Sequence, residues 1–272
     1  MFNIIIKNND RERQRVCFNA RGKPLNNIGY NAQFLYPRQG GIITWVEALH
    51  QKISRPALCN YEAVAIDPVK KIITFSNGHT EPYQHLVSTL PLDELIKRLK
   101  EQASTLHQAL PFLRCNSVVN FNLGINRTSL LKAHWVYYPE LEYPFYRLGF
   151  PSQLTPSMAP VNHSSLAGEC AFLGRDQRFI NHKVQDALSA TKKLFNIIDE
   201  EIVTQALITI PHAYVIFDRW RDLHLNAILN TLQDNHIHSI GRYGAWKYAS
   251  MQDALIDGKT TAALLTTRSH TS

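Results

Sequence analysis

The stretch GRYGAWKYASMQDALIDGK, residues 241–259, decides how this chain is read. Two glycines, an arginine and three aromatics stand within eight residues, directly ahead of Ser250-Met251-Gln252-Asp253. That Ser-x-x-Asp spacing is a capping box, in which the hydroxyl takes one orphan amide and the carboxylate reaches back to another. The helix it predicts carries Ala254, Leu255, Ala262 and Leu265. Amides at Met251 and Gln252 point out of the helix start, where the macrodipole adds about half a positive charge, a setting suited to an anion or an electron-rich oxygen. Gly241 and Gly244 let main chain approach a ligand, Arg242 offers a planar fork, and Trp246 and Tyr248 offer ring faces. A second reading stays open, in which the aromatics are core and the arginine caps a carbonyl.

Upstream, the hydrophobic pattern changes period several times. Tyr36-Pro37-Arg38-Gln39-Gly40-Gly41 turns the chain into a helix marked by Ile42, Trp45, Val46, Leu49 and Ile53. Residues 60–89 alternate as a β-meander, with a break at Asp67-Pro68, a turn at Asn77-Gly78 and HLVST (85–89) as the expected third strand. Asp93 is placed to cap a helix through Leu95, Ile96 and Leu99. Strand-like runs follow at 117–125, 134–140, 144–150 and 165–172, then a helix over 184–202. Strands at 204–210 and 213–218 flank Pro211-His212, and a helix is marked by Leu225, Ile228, Leu229 and Leu232. Residues 1–36 read as an irregular lead-in with one strand near Ile4.

Composition narrows the function classes. With 272 residues, 44% of them hydrophobic, the chain can fill a substantial core, so disorder is excluded as its main state. No apolar run approaches the ~20 residues of a membrane span. Cysteines 17, 59, 115 and 170 are too far apart for a zinc or CxxC pattern, which makes a reducing cytoplasm the expected compartment. The net charge of +7 favours anionic small molecules, but it is dispersed; the Arg11, Arg13, Arg15 cluster carries no aromatic signature, so no nucleic-acid partner is expected. GxGxxG, HExxH and GxSxG are absent, and Gly258-Lys259-Thr260 has Asp253 where a Walker A loop has its first glycine. His236-x-His238 is the closest histidine pair; with no third ligand in view it reads as surface histidines near a turn, and no metal is expected.

The segment 241–259 resembles the C-terminal flavin-binding segment of the FAD-dependent amine oxidase and protoporphyrinogen oxidase superfamily, most closely its UDP-galactopyranose mutase-like branch. YPRQGGIITWVEAL (36–49) is similar to that family's YPxxGG turn and helix, LVSTLPL (86–92) to its returning strand beside the cofactor, and HWVYYPE and FYRLGFPS to strands of its substrate domain. The resemblance implies FAD as cofactor, with Val64, Ser88, Thr89, Gly241, Arg242, Trp246, Tyr248, Ser250, Met251 and Asp253 in its neighbourhood. It implies a substrate phosphate or carboxylate at Arg147, for which an ordinary strand arginine is the other reading, and His134 and Tyr138 lining the same pocket. No catalytic residue is implied.

Family members open with a strand, a GxGxxG turn and a helix that holds the FAD pyrophosphate, and this sequence has no such motif. The expected architecture is therefore mixed α/β: a partial FAD/NAD(P)-binding domain (1–92 and 221–272) around an antiparallel-sheet substrate domain (93–220). The expected function is that of an FAD-dependent oxidoreductase or mutase-like protein, incomplete without a dinucleotide-binding half that a separate chain could supply. The alternative is a non-catalytic module that recognises an anionic ligand such as a nucleotide sugar.

Overall fold

The computed structural model describes residues 17–18, 24–25, 35–100, 104–174 and 176–269. The expected strand near Ile4 and the basic cluster at 11–15 lie outside them. In chain order the strands are β1 (Cys17–Phe18), β2 (Pro24–Leu25), β3 (Ala63–Asp67), β4 (Ile72–Phe75), β5 (Thr80–Pro82), β6 (Leu86–Ser88), β7 (Cys115–Ile125), β8 (Trp135–Tyr137), β9 (Arg147–Gly149), β10 (Ser164–Phe172), β11 (Ile202–Val215) and β12 (Ile237–Ser239). The helices are α1 (Ile43–His50), α2 (Leu92–Arg98), α3 (Ser104–His107), α4 (Pro151–Leu154), α5 (Gln177–Phe195), α6 (Arg219–Asp234), α7 (Gly241–Gly244) and α8 (Met251–Ser269). No helix among the described residues is long and apolar enough to cross a membrane.

The chain divides into two compact units, each made of two stretches: residues 1–56 with 117–210, and residues 57–116 with 211–272. The first is built on a sheet in the order β11-β7-β10-β9-β8. Its central strands alternate, β10 along its whole length and β7 from Val119 onward. In β10, Ser164, Leu166, Gly168, Cys170 and Phe172 are buried, while Ser165, Ala167 and Glu169 are less so. In β7, Val119, Phe121, Leu123 and Ile125 are buried. Antiparallel register sets Gly168 opposite Phe121, and a Cβ on Gly168 would lie 2.0 Å from that ring, so the glycine is what lets the phenylalanine lie flat on the strand. Helix α5 covers this face with Ile180, Val184, Ala187, Leu188 and Thr191, a stripe at helical spacing. Asp176 caps it by accepting the Phe179 amide at 2.8 Å, and Asn196 ends it in the left-handed region. Its N-terminus falls seven residues ahead of the expected start at Val184, because the first apolar residue of the stripe is not the first residue of the helix. The Gly40-Gly41 turn has φ of +74° and +72° and leads into α1 as expected.

The second unit packs helices against small sheets. Asn77-Gly78, with Gly78 at φ +83°, makes the expected turn, but the returning strand is β5, so the meander is β3-β4-β5. HLVST is not its third strand. Pro82 ends β5, and β6 pairs in parallel with β12 instead. The core joins Ile66, Leu92, Leu95, Ile96 and Leu99 to Leu225, Ile228 and Leu232 of α6, with Ile237 and Trp246. Helix α2 has Pro91 at its N-cap, and Asp93 sits inside the first turn rather than capping it. Strand β11 runs unbroken through Pro211, where two strands were expected.

Candidate cofactor site and substrate face

In the second unit, β6 and β12 pair with Leu86, Val87 and Ser88 opposite Ile237, His238 and Ser239. Parallel strands end side by side, so Ser88-Thr89 and Ile240-Gly241 leave the same edge of the sheet. In open α/β sheets that carboxyl edge is where ligands bind. The Ile240 amide donates to the Ser88 carbonyl at 2.9 Å, and Ser239 Oγ donates to the Gly244 carbonyl at 2.8 Å. A Cβ on Gly244 would stand 3.0 Å from the Ser88 carbonyl oxygen and 3.1 Å from Ser239 Oγ, which fixes glycine there. Gly241 is the opposite case: φ is +77° and a Cβ would meet nothing within 4 Å among the described residues.

The turn is bound to the start of α8. Asp257 accepts the Gly241 amide at 3.1 Å and pairs with Lys247 at 2.9 Å. The capping box forms as read: the Ser250 amide donates to Asp253 Oδ2 at 2.7 Å and the Asp253 amide to Ser250 Oγ at 3.2 Å. Met251 is 43% exposed, and the Met251 and Gln252 amides have no protein acceptor among the described residues. Arg242 donates to the carbonyls of Ala249 and Ala213, both at 3.2 Å, and its guanidinium lies 4.8 Å from the Tyr214 ring and 4.9 Å from the Tyr248 ring. The carbonyl-capping reading of the arginine thus holds, and Tyr248, though 51% exposed, stacks on Tyr214 with ring centroids 6.4 Å apart. Trp246 is 1% exposed and belongs to the core, with its carbonyl held by Arg221 at 3.0 and 2.8 Å. It anchors the loop rather than offering a platform. Val64 stands exposed on β3, in a different sheet from Ser88 and Gly241.

In the first unit, register sorts the expected substrate residues onto two faces. Tyr137 pairs with Arg147 and Arg147 with Glu169, while Glu169 pairs with Asn120, giving one row across four strands. Arg147 donates to Glu169 Oε1 and Tyr146 Oη to Glu169 Oε2. Val136 and Tyr138 face the core, where Tyr138 packs on Tyr143 and Phe145 with ring centroids 5.0 and 5.1 Å away. Burial, then Tyr143 and Glu140, push the Tyr138 phenol up to about 12. His134 gives its carbonyl to the Phe150 amide at 2.8 Å. Arg147 is therefore not grouped with Tyr138, since neighbouring strand positions project to opposite faces. Glu169, Tyr146 and Asn120 were missed as companions of Arg147. The alternation in NFNLGI and LAGECAF could have shown Asn120 and Glu169, because the polar members keep one parity; Tyr146 lies in neither run.

Titratable groups elsewhere are settled internally. Burial lifts the thiols of Cys170 to about 12 and Cys115 to about 11, so neither is a ready nucleophile. Asp93, Glu94 and His212 bring ligand atoms within 4.8 Å of one another. However, Lys97 Nζ lies 2.7 Å from Glu94 and 3.3 Å from Asp93, and Arg98 lies 2.6 Å from Glu94. Hydrogen bonds from Lys97 and Arg98 hold the Glu94 carboxyl down to about 2, so protein cations already fill the place of a metal.

The fold defines a class: a mixed α/β chain with antiparallel sheets, in the fold of the FAD-dependent oxidoreductases. Within it, the chain is similar to a solved structure of reduced UDP-galactopyranose mutase, with TM-score 0.75 and 26% identity over 84% of this chain and 50% of that one. A putative protoporphyrinogen oxidase from Exiguobacterium matches with TM-score 0.69 and 14% identity, over 88% of this chain and 53% of that one. A fatty acid isomerase from P. acnes matches at 0.63 and 11%, over 84% and 53%. The last two share the fold alone. The chain thus spans about half the length of the proteins it matches. No family model matches it.

Proposed function

We propose that this chain forms the substrate-binding and C-terminal flavin-binding portions of an FAD-dependent oxidoreductase or mutase-like protein, and that a dinucleotide-binding half, on a separate chain or segment, completes it. The observation that carries this reading is the carboxyl edge of β6 and β12, where Ser88 and Ile240 end side by side and Asp257 of α8 holds the Gly241 amide. Those residues fit a flavin: among the described residues nothing stands within 4 Å of a Cβ on Gly241, and the Met251 and Gln252 amides have no protein acceptor. Ser88, Thr89, Gly241, Tyr248 and Met251 would hold the cofactor. Arg242, Ser250, Asp253 and Trp246 would hold the shape of the turn, and Val64 would lie further out. The flavin, when bound, supplies the redox chemistry; the chain orients it and sets its electrostatics. Arg147, with Glu169 and Tyr146, would position an anionic substrate such as a nucleotide sugar on the polar row of the first unit.

Titrating the purified chain with FAD, followed by flavin fluorescence, tests the reading. Saturable binding in the micromolar range is expected, and Met251→Pro should weaken it about tenfold. Proline is well tolerated at the first helical position, so this variant removes one amide donor and keeps the helix. No saturation up to millimolar FAD would overturn a flavin-holding role for this turn in the absence of the dinucleotide-binding half. Binding of a UDP-sugar without any flavin binding would instead favour the non-catalytic ligand-recognition module, a reading supported by the Arg147–Glu169 row standing in the other unit from the flavin turn.

A further inference from the structure

Strand β11 lies at one edge of the sheet β11-β7-β10-β9-β8, and among the described residues β7 is the only strand it pairs with. The two run antiparallel: the Asn126 amide donates to the Glu201 carbonyl at 2.8 Å and the Ile216 amide to the Arg114 carbonyl at 2.9 Å. Between those ends every residue from Val203 to Pro211 is exposed, so neither face of the strand is covered there. Val203, Leu207, Ile208 and Ile210 are 55, 49, 54 and 38% exposed. The stretch 202–210, IVTQALITI, carries no charged side chain. Long sheet edges are ordinarily blunted by lysines, inward charges or proline. Here the first such residue is Pro211, where the stretch ends.

We propose that residues 202–210 form a self-pairing edge, to which the same strand of a second copy of this chain adds antiparallel about a two-fold axis at Ala206. The stretch complements itself about that axis. Ile202 falls opposite Ile210, Val203 opposite Thr209, Thr204 opposite Ile208 and Gln205 opposite Leu207, and facing pairs of β-branched and aliphatic residues stabilise an antiparallel ladder. Charge selects the same direction. Asp199, Glu200 and Glu201 precede the stretch and His212 follows it. Lys192 and Arg127 already hold Asp199 and Glu201 at 2.6 and 2.5 Å, and the axis sets exposed Glu200 opposite His212 of the other copy. Parallel pairing would instead bring the two acidic ends together. The sheet also limits the assembly to two. Its other edge, β8, is only three residues long, so copies joined through β11 have no second edge of comparable length, and an isologous contact closes on itself rather than growing a fibre. This edge lies in the other unit from the flavin turn and is independent of the activity proposed above.

Sedimentation velocity of the full chain across a concentration series tests this, together with hydrogen exchange. A reversible monomer–dimer equilibrium is expected, with residues 202–210 gaining protection as the dimer fills. Ile208→Lys and Thr204→Lys, both at exposed positions, should each weaken the dimer about tenfold or more. Leu141→Lys, at an exposed leucine off the strand, should leave it unchanged. With Cys17→Ser and Cys59→Ser in place, Ala206→Cys should cross-link to its twin on oxidation with diamide, and Val203→Cys should not. Facing residues of an antiparallel pair stand about 4.5–5.5 Å apart, and only the residue on the axis faces itself. A chain that stays monomeric at every concentration overturns the proposal. So does a dimer that both lysine variants leave at full strength, or one that cross-links through Val203→Cys and not through Ala206→Cys. Protection of 202–210 already complete in the monomer would give the edge to another segment of the same chain and overturn it equally.

Discussion

The two units place candidate chemistry in opposite ways. In the first, polar side chains line one face of an antiparallel sheet, and register assembles them: Tyr137, Arg147, Glu169 and Asn120 are neighbours because each lies opposite the next. In the second, main chain does the work. Among the described residues nothing stands within 4 Å of a Cβ on Gly241 and the Met251 and Gln252 amides have no protein acceptor, while Gly244 allows the turn to close on the strand ends. A side-chain face tolerates exchange at one position if packing beneath is kept. A main-chain site depends on φ values and on anchors behind it, so its most sensitive residue is one that touches no ligand.

Trp246 is that anchor, and it sets up the largest contrast. Trp246→Ala leaves a cavity in the core of the second unit and is expected to cost about 3–5 kcal/mol. Phe121→Ala should cost as much in the first unit, where it uncovers Gly168. Hydrogen exchange by mass spectrometry separates the two. Protection should fall over β6, β12 and α6 in the tryptophan variant and over β7, β10 and α5 in the phenylalanine variant. If both variants lost protection over the same peptides, the division into two cores would be wrong.

A smaller effect probes the other end of the main-chain site. Helix α8 has no buried residue among those described, so its first turn depends on the capping box more than on packing. Ser250→Ala removes the hydroxyl that accepts the Asp253 amide and is expected to cost about 1 kcal/mol. The loss should show as faster exchange within 251–256, with β7 and β10 unaffected. Unchanged exchange in that first turn would mean that something other than the cap holds the helix.

How much of this was legible in the sequence follows from distance along the chain. The strands β7 and β10, the Asn77-Gly78 turn and the Ser250–Asp253 box are local, and each formed where it was read. The parallel pairing of β6 with β12 was not legible: three residues, IHS, carry no periodic signal, and their partner lies 150 positions earlier. That one omission misassigned HLVST to the meander and hid His85 beside His238, which is 7% exposed and not the surface histidine that the sequence suggested. Arg242 shows the same limit, since its partners Ala213 and Tyr214 sit on β11, nearly thirty residues upstream. Leu255 and Ala254, which mark α8 in the sequence, are exposed, because helical spacing shows which residues share a face and not whether anything covers it.

The finest contrast is electrostatic. Glu94, on α2 at the edge of the second core, is held down to about 2 by hydrogen bonds from Lys97 and then Arg98, from an ordinary value of 4.5. A carboxyl whose folded value is depressed contributes stability that is complete above 4.5 and is lost as the pH falls toward 2. The side chain is 28% exposed, so solvent screening limits the contribution to about 1 kcal/mol. Melting curves of the parent chain and Glu94→Gln should therefore differ by a constant amount from pH 7 down to about 5, converge between 4.5 and 2, and coincide near 2. A difference that stayed flat through that window would assign the loss to packing of α2 rather than to the charge. The Lys97–Glu94–Arg98 cluster would then be incidental to the core it borders.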